Sequence, residues 1–126
     1  MLTWLLLGTV VYVLTLFVPS FLLLPRAGLS HYLGSRDNDP EAGAVHGRAQ
    51  RACRNFIENY PIFMGLGILA LVVPEADLGL ATTGAMLFVL ARVAYLPLYL
   101  LAVPYVRSLA FMVGWVGTLM IGIALI

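Results

Sequence analysis

The sequence predicts an all-α integral membrane protein, a bundle of four transmembrane helices that forms a single domain over residues 1–126. Composition gives the first reason. Of the 126 residues, 62% are hydrophobic and 10% are charged, whereas a soluble domain carries about 25% charged residues. The second reason is that apolar runs long enough to cross a bilayer recur along the chain. This length allows one domain and no more.

The first predicted span covers residues 2–24 and is apolar apart from threonines and a serine. At a rise of 1.5 Å per residue it reaches about 35 Å, which is enough to cross a bilayer with some tilt. It lacks the basic start and the small-residue cleavage pattern of a signal peptide, so we expect a retained transmembrane helix. The other predicted spans cover residues 44–73, 80–102 and 105–126.

The loops between the spans differ in charge, and this difference predicts the orientation. The first loop is long and polar, and its DNDPE segment at residues 37–41 predicts a turn. The arginines in or beside the first and third loops are Arg26, Arg36, Arg48, Arg51, Arg54 and Arg107. The second loop carries Glu75 and Asp77 and no basic residue. The positive-inside rule therefore puts both termini on the non-cytoplasmic side, of the inner membrane if the protein is bacterial.

Polar residues crowd the start of the second span. At about 100° per residue, Arg51, Arg54, Asn55 and Glu58 fall on one face of a helix. A charged side chain at membrane depth is costly unless it pairs or faces a wet cavity, and Glu58 can pair with Arg54 or Arg51. A structural interpretation stays open, in which the arginines snorkel to lipid phosphates and Glu58 forms a helix-stabilising pair.

A second polar stripe lies on the third span, where Arg92, Tyr95 and Tyr99 occupy positions i, i+3 and i+7. Tyr95 and Tyr99 could also be interfacial belt aromatics, but an arginine deep in a span is by default a functional-site hypothesis. Arg107 and Ser108 begin the fourth span. Together with the arginines of the second span, they could line one electropositive pocket open to the cytoplasmic leaflet.

Other chemistries find little support in the sequence. The net charge of +1 gives no general reason to expect nucleic acid as a partner. Cys53 is the only cysteine, so no intrachain disulfide can form, and we expect it to be a packing residue. Cys53, His31 and His46 lack the spacing of a metal site, so no metal is expected.

The motifs resemble those of one membrane protein family. The segment RAQRACRNFIENYP, residues 48–61, with its Arg-Asn-x-x-Glu pattern at Arg54, Asn55 and Glu58, resembles the second helix of the MAPEG family, the membrane-associated proteins in eicosanoid and glutathione metabolism. ARVAYLPLYL is similar to the Arg-x-x-(His or Tyr)-x-x-x-Tyr stripe of its third helix, and PYVRS to its Pro-x-x-Arg-Ser segment. The resemblance covers essentially the whole chain and is that of a bacterial-type member.

The resemblance implies a homotrimer with three glutathione sites between neighbouring subunits, near the cytoplasmic side. The glutathione ligands it implies on the second and third helices are Arg51, Arg54, Asn55, Glu58, Arg92, Tyr95 and Tyr99. Arg107 would be the catalytic residue that stabilises the thiolate, with Ser108 beside it as a further glutathione contact. Cys53 stands where several eukaryotic members have His, and the first loop diverges, so nothing is carried over from that loop.

These residues suit glutathione chemically, because arginine forks bind carboxylates and a nearby cation favours the nucleophilic thiolate. The predicted function is therefore that of a membrane-bound glutathione transferase or peroxidase, in which the thiolate attacks a lipophilic electrophile. One alternative is a non-catalytic membrane scaffold or regulator of the same fold, which conjugation activity would distinguish. Another is a small multidrug-type transporter, which would be expected to carry an acidic residue in the first span, where residues 2–24 have none.

Overall fold

A computed structural model describes residues 1–35 and 43–126 of the chain. The described residues form four long helices and one short helix. These are α1 (Leu2–Ala27), α2 (Leu29–Leu33), α3 (Ala44–Val72), α4 (Leu78–Leu100) and α5 (Pro104–Ile123). All four long helices are long and apolar enough to cross a membrane. The prediction of an all-α, four-span integral membrane protein is therefore confirmed.

The helix bounds depart from the prediction mainly at the first loop. Helix α1 continues beyond residue 24 to Ala27, and the short helix α2 occupies part of what the sequence predicts as loop. Gly28 separates the two helices with φ of 77°, a left-handed conformation that glycine adopts without a steric penalty. Arg36 and the turn predicted at residues 37–41 lie outside the described residues.

The later helices begin slightly earlier than predicted, for identifiable reasons. Helix α4 begins at Leu78 rather than at residue 80, because the carboxylate of Asp77 accepts a hydrogen bond from the Leu80 amide at 3.0 Å. Such a side-chain cap satisfies one of the amide groups left free at a helix start. Helix α5 begins at Pro104, a residue whose fixed φ and missing N–H suit the first helical position.

Helices α4 and α5 form the closest pair in the bundle. A Cβ atom on Gly117 would lie 2.5 Å from the Gly84 carbonyl oxygen and 2.8 Å from the Phe88 amide nitrogen. The two backbones therefore touch, as small residues allow between membrane helices. We call this contact at Gly84 and Gly117 the α4–α5 seam. Next to the seam, α3 packs on α4 through the stacked rings of Phe63 and Phe88, whose centroids lie 4.1 Å apart.

The turn between α4 and α5 places two of the predicted site segments side by side. The amide of Val103 donates to the Leu98 carbonyl, and the amide of Ala102 donates to the Tyr99 carbonyl. This is the hydrogen-bond pattern of a Schellman motif. Ala102 has φ of 58° at the position where glycine is usual, so the turn carries some backbone strain. It brings the start of α5 back beside the last turn of α4.

Candidate functional site

A cleft of about 250 Å³ opens between α3, α4 and α5, near the turn that joins the last two helices. The residues that line it are Asn55, Tyr95, Tyr99, Arg107, Ser108, Phe111 and Met112. Three separate motifs of the sequence thus meet in one place. Asn55 comes from the second predicted span, the two tyrosines from the third, and Arg107 with Ser108 from the fourth.

Arg107 is the cation of this cleft, and a tyrosine ring supports it. Its guanidinium carbon lies 4.3 Å from the centroid of the Tyr99 ring, which is well within the range of a cation–π contact. Tyr99 in turn meets Tyr95 edge to face, with centroids 5.4 Å apart. Ser108 is exposed, and its hydroxyl donates to the Pro104 carbonyl at 3.1 Å. The site therefore holds a half-buried positive charge next to phenol groups.

Arg92 does not line this cleft, although it shares a helix stripe with Tyr95 and Tyr99. Its side chain is 2% exposed, and its Nη1 donates to Asn55 Oδ1 at 2.7 Å. It borders a separate recess of about 190 Å³ between α1 and α4. The rings within 5.0–5.7 Å of its guanidinium carbon belong to Phe56, Phe88, Tyr95 and Phe111.

The other predicted ligands on α3 face outward. Arg51, Arg54 and Glu58 are exposed and do not line the cleft. In the part of the chain that the structure describes, Glu58 makes no ion pair with Arg54 or Arg51. The expected pairing is therefore not formed within one protomer, and the pocket expected to join Arg51 and Arg54 with Arg107 is not formed there either. The helix turns Asn55 inward and these three charged side chains outward.

Some residues near the site were not anticipated. Phe111 and Met112 line the cleft, and the signal for them was spacing, because they lie four residues, about one helical turn, after Arg107 and Ser108. Arg48 donates from Nε to the Leu100 carbonyl at 2.9 Å, so it ties the start of α3 to the end of α4. A cation suits this position because the carbonyl end of a helix is partially negative.

The remaining chemistry-bearing side chains do not cluster. Cys53 is a buried free cysteine, in line with the packing role expected for it. His46 is also buried, because it lies on the inner face of the first turn of α3. Within residues 1–35 and 43–126, no three His, Cys, Asp or Glu side chains approach closely enough to hold a metal ion.

Comparison with known proteins identifies the relationship that the motifs suggest. The family model described as the MAPEG family matches residues 1–126, the whole chain. A search of curated proteins and a search of solved structures found no match to the chain. The family match agrees with the resemblance of the three motifs and with the four apolar helices.

Proposed function

Because the chain belongs to the MAPEG family along its whole length, we propose that it is a membrane-bound, glutathione-dependent enzyme of the transferase or peroxidase type. Glutathione supplies the nucleophile as co-substrate, and the electrophile is a lipophilic molecule that arrives through the bilayer. The family is associated with glutathione and eicosanoid metabolism and includes proteins that are not enzymes. Catalysis by this chain is therefore inferred from the residues of its cleft.

The observation that carries the proposal is the position of Arg107 in the cleft beside Asn55 and the two tyrosines. Glutathione has two carboxylates, an ammonium group and a thiol, and only the thiolate form of the thiol is a good nucleophile. Arginine stays protonated at neutral pH, so Arg107 acts through its charge and not as a base. It stabilises the thiolate before attack.

The reaction with a generic aryl halide illustrates the role of this charge. The thiolate sulfur forms a bond to the ring carbon that carries the halogen, and the carbon–halogen bond then breaks as halide leaves with its electron pair. Negative charge develops on the aromatic ring between these two events. A fixed cation beside the ring stabilises that charge without having to reorganise.

The outward-facing charges of α3 support a second part of the proposal, the homotrimer. An arginine or acidic side chain that faces lipid within a membrane helix costs up to about 2.5–3.5 kcal/mol, the value for the helix centre on insertion scales. Arg51, Arg54 and Glu58 escape that cost if a neighbouring subunit covers them, and a closed cyclic assembly does so for every subunit. The guanidinium groups of Arg51 and Arg54 then bind the carboxylates of glutathione at the subunit boundary, and the carboxylate of Glu58 binds its ammonium group. Ser108 and the tyrosines of the cleft complete the site.

The orientation belongs to the same proposal. Arg48 and the end of α4 are joined by a hydrogen bond, so the start of α3 and the turn between α4 and α5 lie at one end of the bundle, close to the cleft. We place this end on the cytoplasmic side, where water-soluble glutathione can enter directly. Both termini then lie on the other side of the membrane, which is the inner membrane if the host is bacterial.

The first experiment asks whether glutathione binds and reacts. Millimolar glutathione is expected to raise the melting temperature of the detergent-purified protein, because a ligand that binds only the native state stabilises it. The wild-type protein is expected to conjugate an aryl halide. Arg107→Ala should lose most of the turnover and the ultraviolet absorbance band of the bound thiolate, while Arg107→Lys should keep part of both. A melting temperature that glutathione does not change would contradict the proposal. Binding of glutathione without turnover would mean that the protein is a glutathione-binding protein and not an enzyme.

A second experiment tests the outward-facing ligands. Arg54→Ala and Glu58→Gln should each weaken glutathione binding by about 2–5 kcal/mol, the usual loss when one partner of a desolvated charged contact is removed. The native mass should remain that of a trimer in both variants. Unchanged affinity in both would mean that these side chains serve the helix or the assembly and not the ligand.

A further inference from the structure

The contact between Arg92 and Asn55 defines which atoms of Asn55 a ligand can meet. Arg92 Nη1 lies 2.7 Å from Asn55 Oδ1, and the arginine is almost fully buried. Its Nε and Nη2 atoms are buried as well and have no acceptor among the described residues. Because the buried arginine does not line the cleft, a molecule in the cleft meets Asn55 and not the guanidinium.

The chemistry of the two side chains fixes the orientation of the amide. Arginine has five N–H donors and no acceptor, so the atom of Asn55 that faces it must be the oxygen. A flipped amide would set its NH₂ group against the guanidinium, so that two donors would face each other. The Nδ2 atom therefore points away from Arg92. Within residues 1–35 and 43–126 the side chain of Asn55 forms its hydrogen bond through Oδ1 and none through Nδ2, and Asn55 lines the cleft.

We propose that Arg92 is a positioning residue that locks Asn55 as a hydrogen-bond donor toward the cleft and does not itself touch the ligand. This inference rests on the proposed function and assigns Asn55 Nδ2 to a carbonyl or carboxylate oxygen of glutathione. A charge-assisted hydrogen bond holds the amide more firmly than a neutral one. The ring faces around the guanidinium offset part of the cost of burying the cation, as the four ring contacts of Arg92 allow.

A double-mutant cycle on glutathione affinity distinguishes this role from direct binding. Losing a hydrogen bond to a charged or strongly polar ligand group weakens binding by about tenfold or more, so Asn55→Ala and Arg92→Met should each show a loss of that size. If Arg92 acts only through Asn55, the double variant should bind no more weakly than Asn55→Ala. Losses that multiply to about a hundredfold would mean that the two side chains contact the ligand independently, and this would overturn the proposal.

Asn55→Asp provides a test that does not depend on the folding of an Arg92 variant. The aspartate has nearly the same shape as asparagine, and its carboxylate can still accept a hydrogen bond from Arg92. Its second oxygen, however, faces the cleft as an acceptor, where the asparagine amide has an N–H donor. We expect glutathione affinity to fall by about tenfold or more with little change in melting temperature. Wild-type affinity in Asn55→Asp would show that the cleft does not use Asn55 as a donor.

The side-chain amide resonance of Asn55, measured without glutathione, separates this inference from the proposed function. In the wild-type protein we expect the two Nδ2 protons, identified by their loss in Asn55→Ala, at chemical shifts displaced from those of a solvent-exposed asparagine amide. In Arg92→Met they should move toward the exposed values, because the contact with the guanidinium is lost. Unchanged resonances would overturn the positioning role. If the wild-type protein does not bind glutathione, the proposed function fails, and this measurement still decides whether Arg92 orients Asn55.

Discussion

Replacing the ring beneath Arg107 should impair catalysis without removing any charge. In Tyr99→Leu the guanidinium of Arg107 loses the ring face that lies 4.3 Å from its central carbon. The side chain is then free to swing toward the membrane interface, because Arg107 is only half-buried. The proposed thiolate-stabilising charge would spend less time in the cleft.

The size of the effect follows from this geometry. A cation–π contact contributes about 0.5–1 kcal/mol when exposed and about 2 kcal/mol when desolvated. The half-buried contact between Arg107 and Tyr99 should therefore contribute about 1–2 kcal/mol to the preferred orientation. Since each 1.36 kcal/mol changes a rate tenfold, turnover should fall by about 5- to 30-fold.

The assay is aryl halide conjugation at saturating glutathione, with the thiolate absorbance of the bound form as a second readout. Tyr99→Phe keeps the ring and removes the hydroxyl, so it should retain most of the turnover. Tyr105→Leu is the matched control for loss of a tyrosine at this end of the bundle, because that ring is 88% exposed. Wild-type turnover in Tyr99→Leu, or a loss of turnover in Tyr99→Phe as large as that in Tyr99→Leu, would show that the ring face does not hold Arg107 in the cleft.

Three further predictions concern stability and topology. Gly117→Ala should lower the free energy of unfolding by about 1–3 kcal/mol, because its Cβ would overlap the α4 backbone. Gly65→Ala, where nothing lies within 4 Å, should be neutral or stabilising, and equal melting temperatures would contradict the tight seam. Ala102→Gly should raise stability by up to about 1 kcal/mol, since strain relief exceeds the added backbone entropy; a lower melting temperature would argue against strain. A reporter active only in the cytoplasm should be silent after Ile126, and a strong signal there would reverse the orientation.

The sequence was enough to predict the class of protein, the number of long helices and their approximate bounds. These properties depend on local information, namely the length of each apolar run and the polar segments between runs. The family followed from short motifs for the same reason, because Arg54, Asn55 and Glu58 are neighbours within two turns of one helix. The short helix α2 and the extension of α1 to Ala27 were missed, since proline and glycine near position 25 suggest a loop unless the helix is seen to continue through Pro25.

The packing of the helices against one another determines which of the predicted polar residues on each helix share a site. On a helix of 3.6 residues per turn, Asn55 lies only about 40° around from Arg51, so sequence periodicity puts both on one face. Yet that small rotation carries Asn55 toward the buried side occupied by Ala52 and Phe56, where it meets Arg92, and leaves Arg51 outside. Helix periodicity gives the angles between side chains, but the boundary between inside and outside is set by the packing of the neighbouring helices.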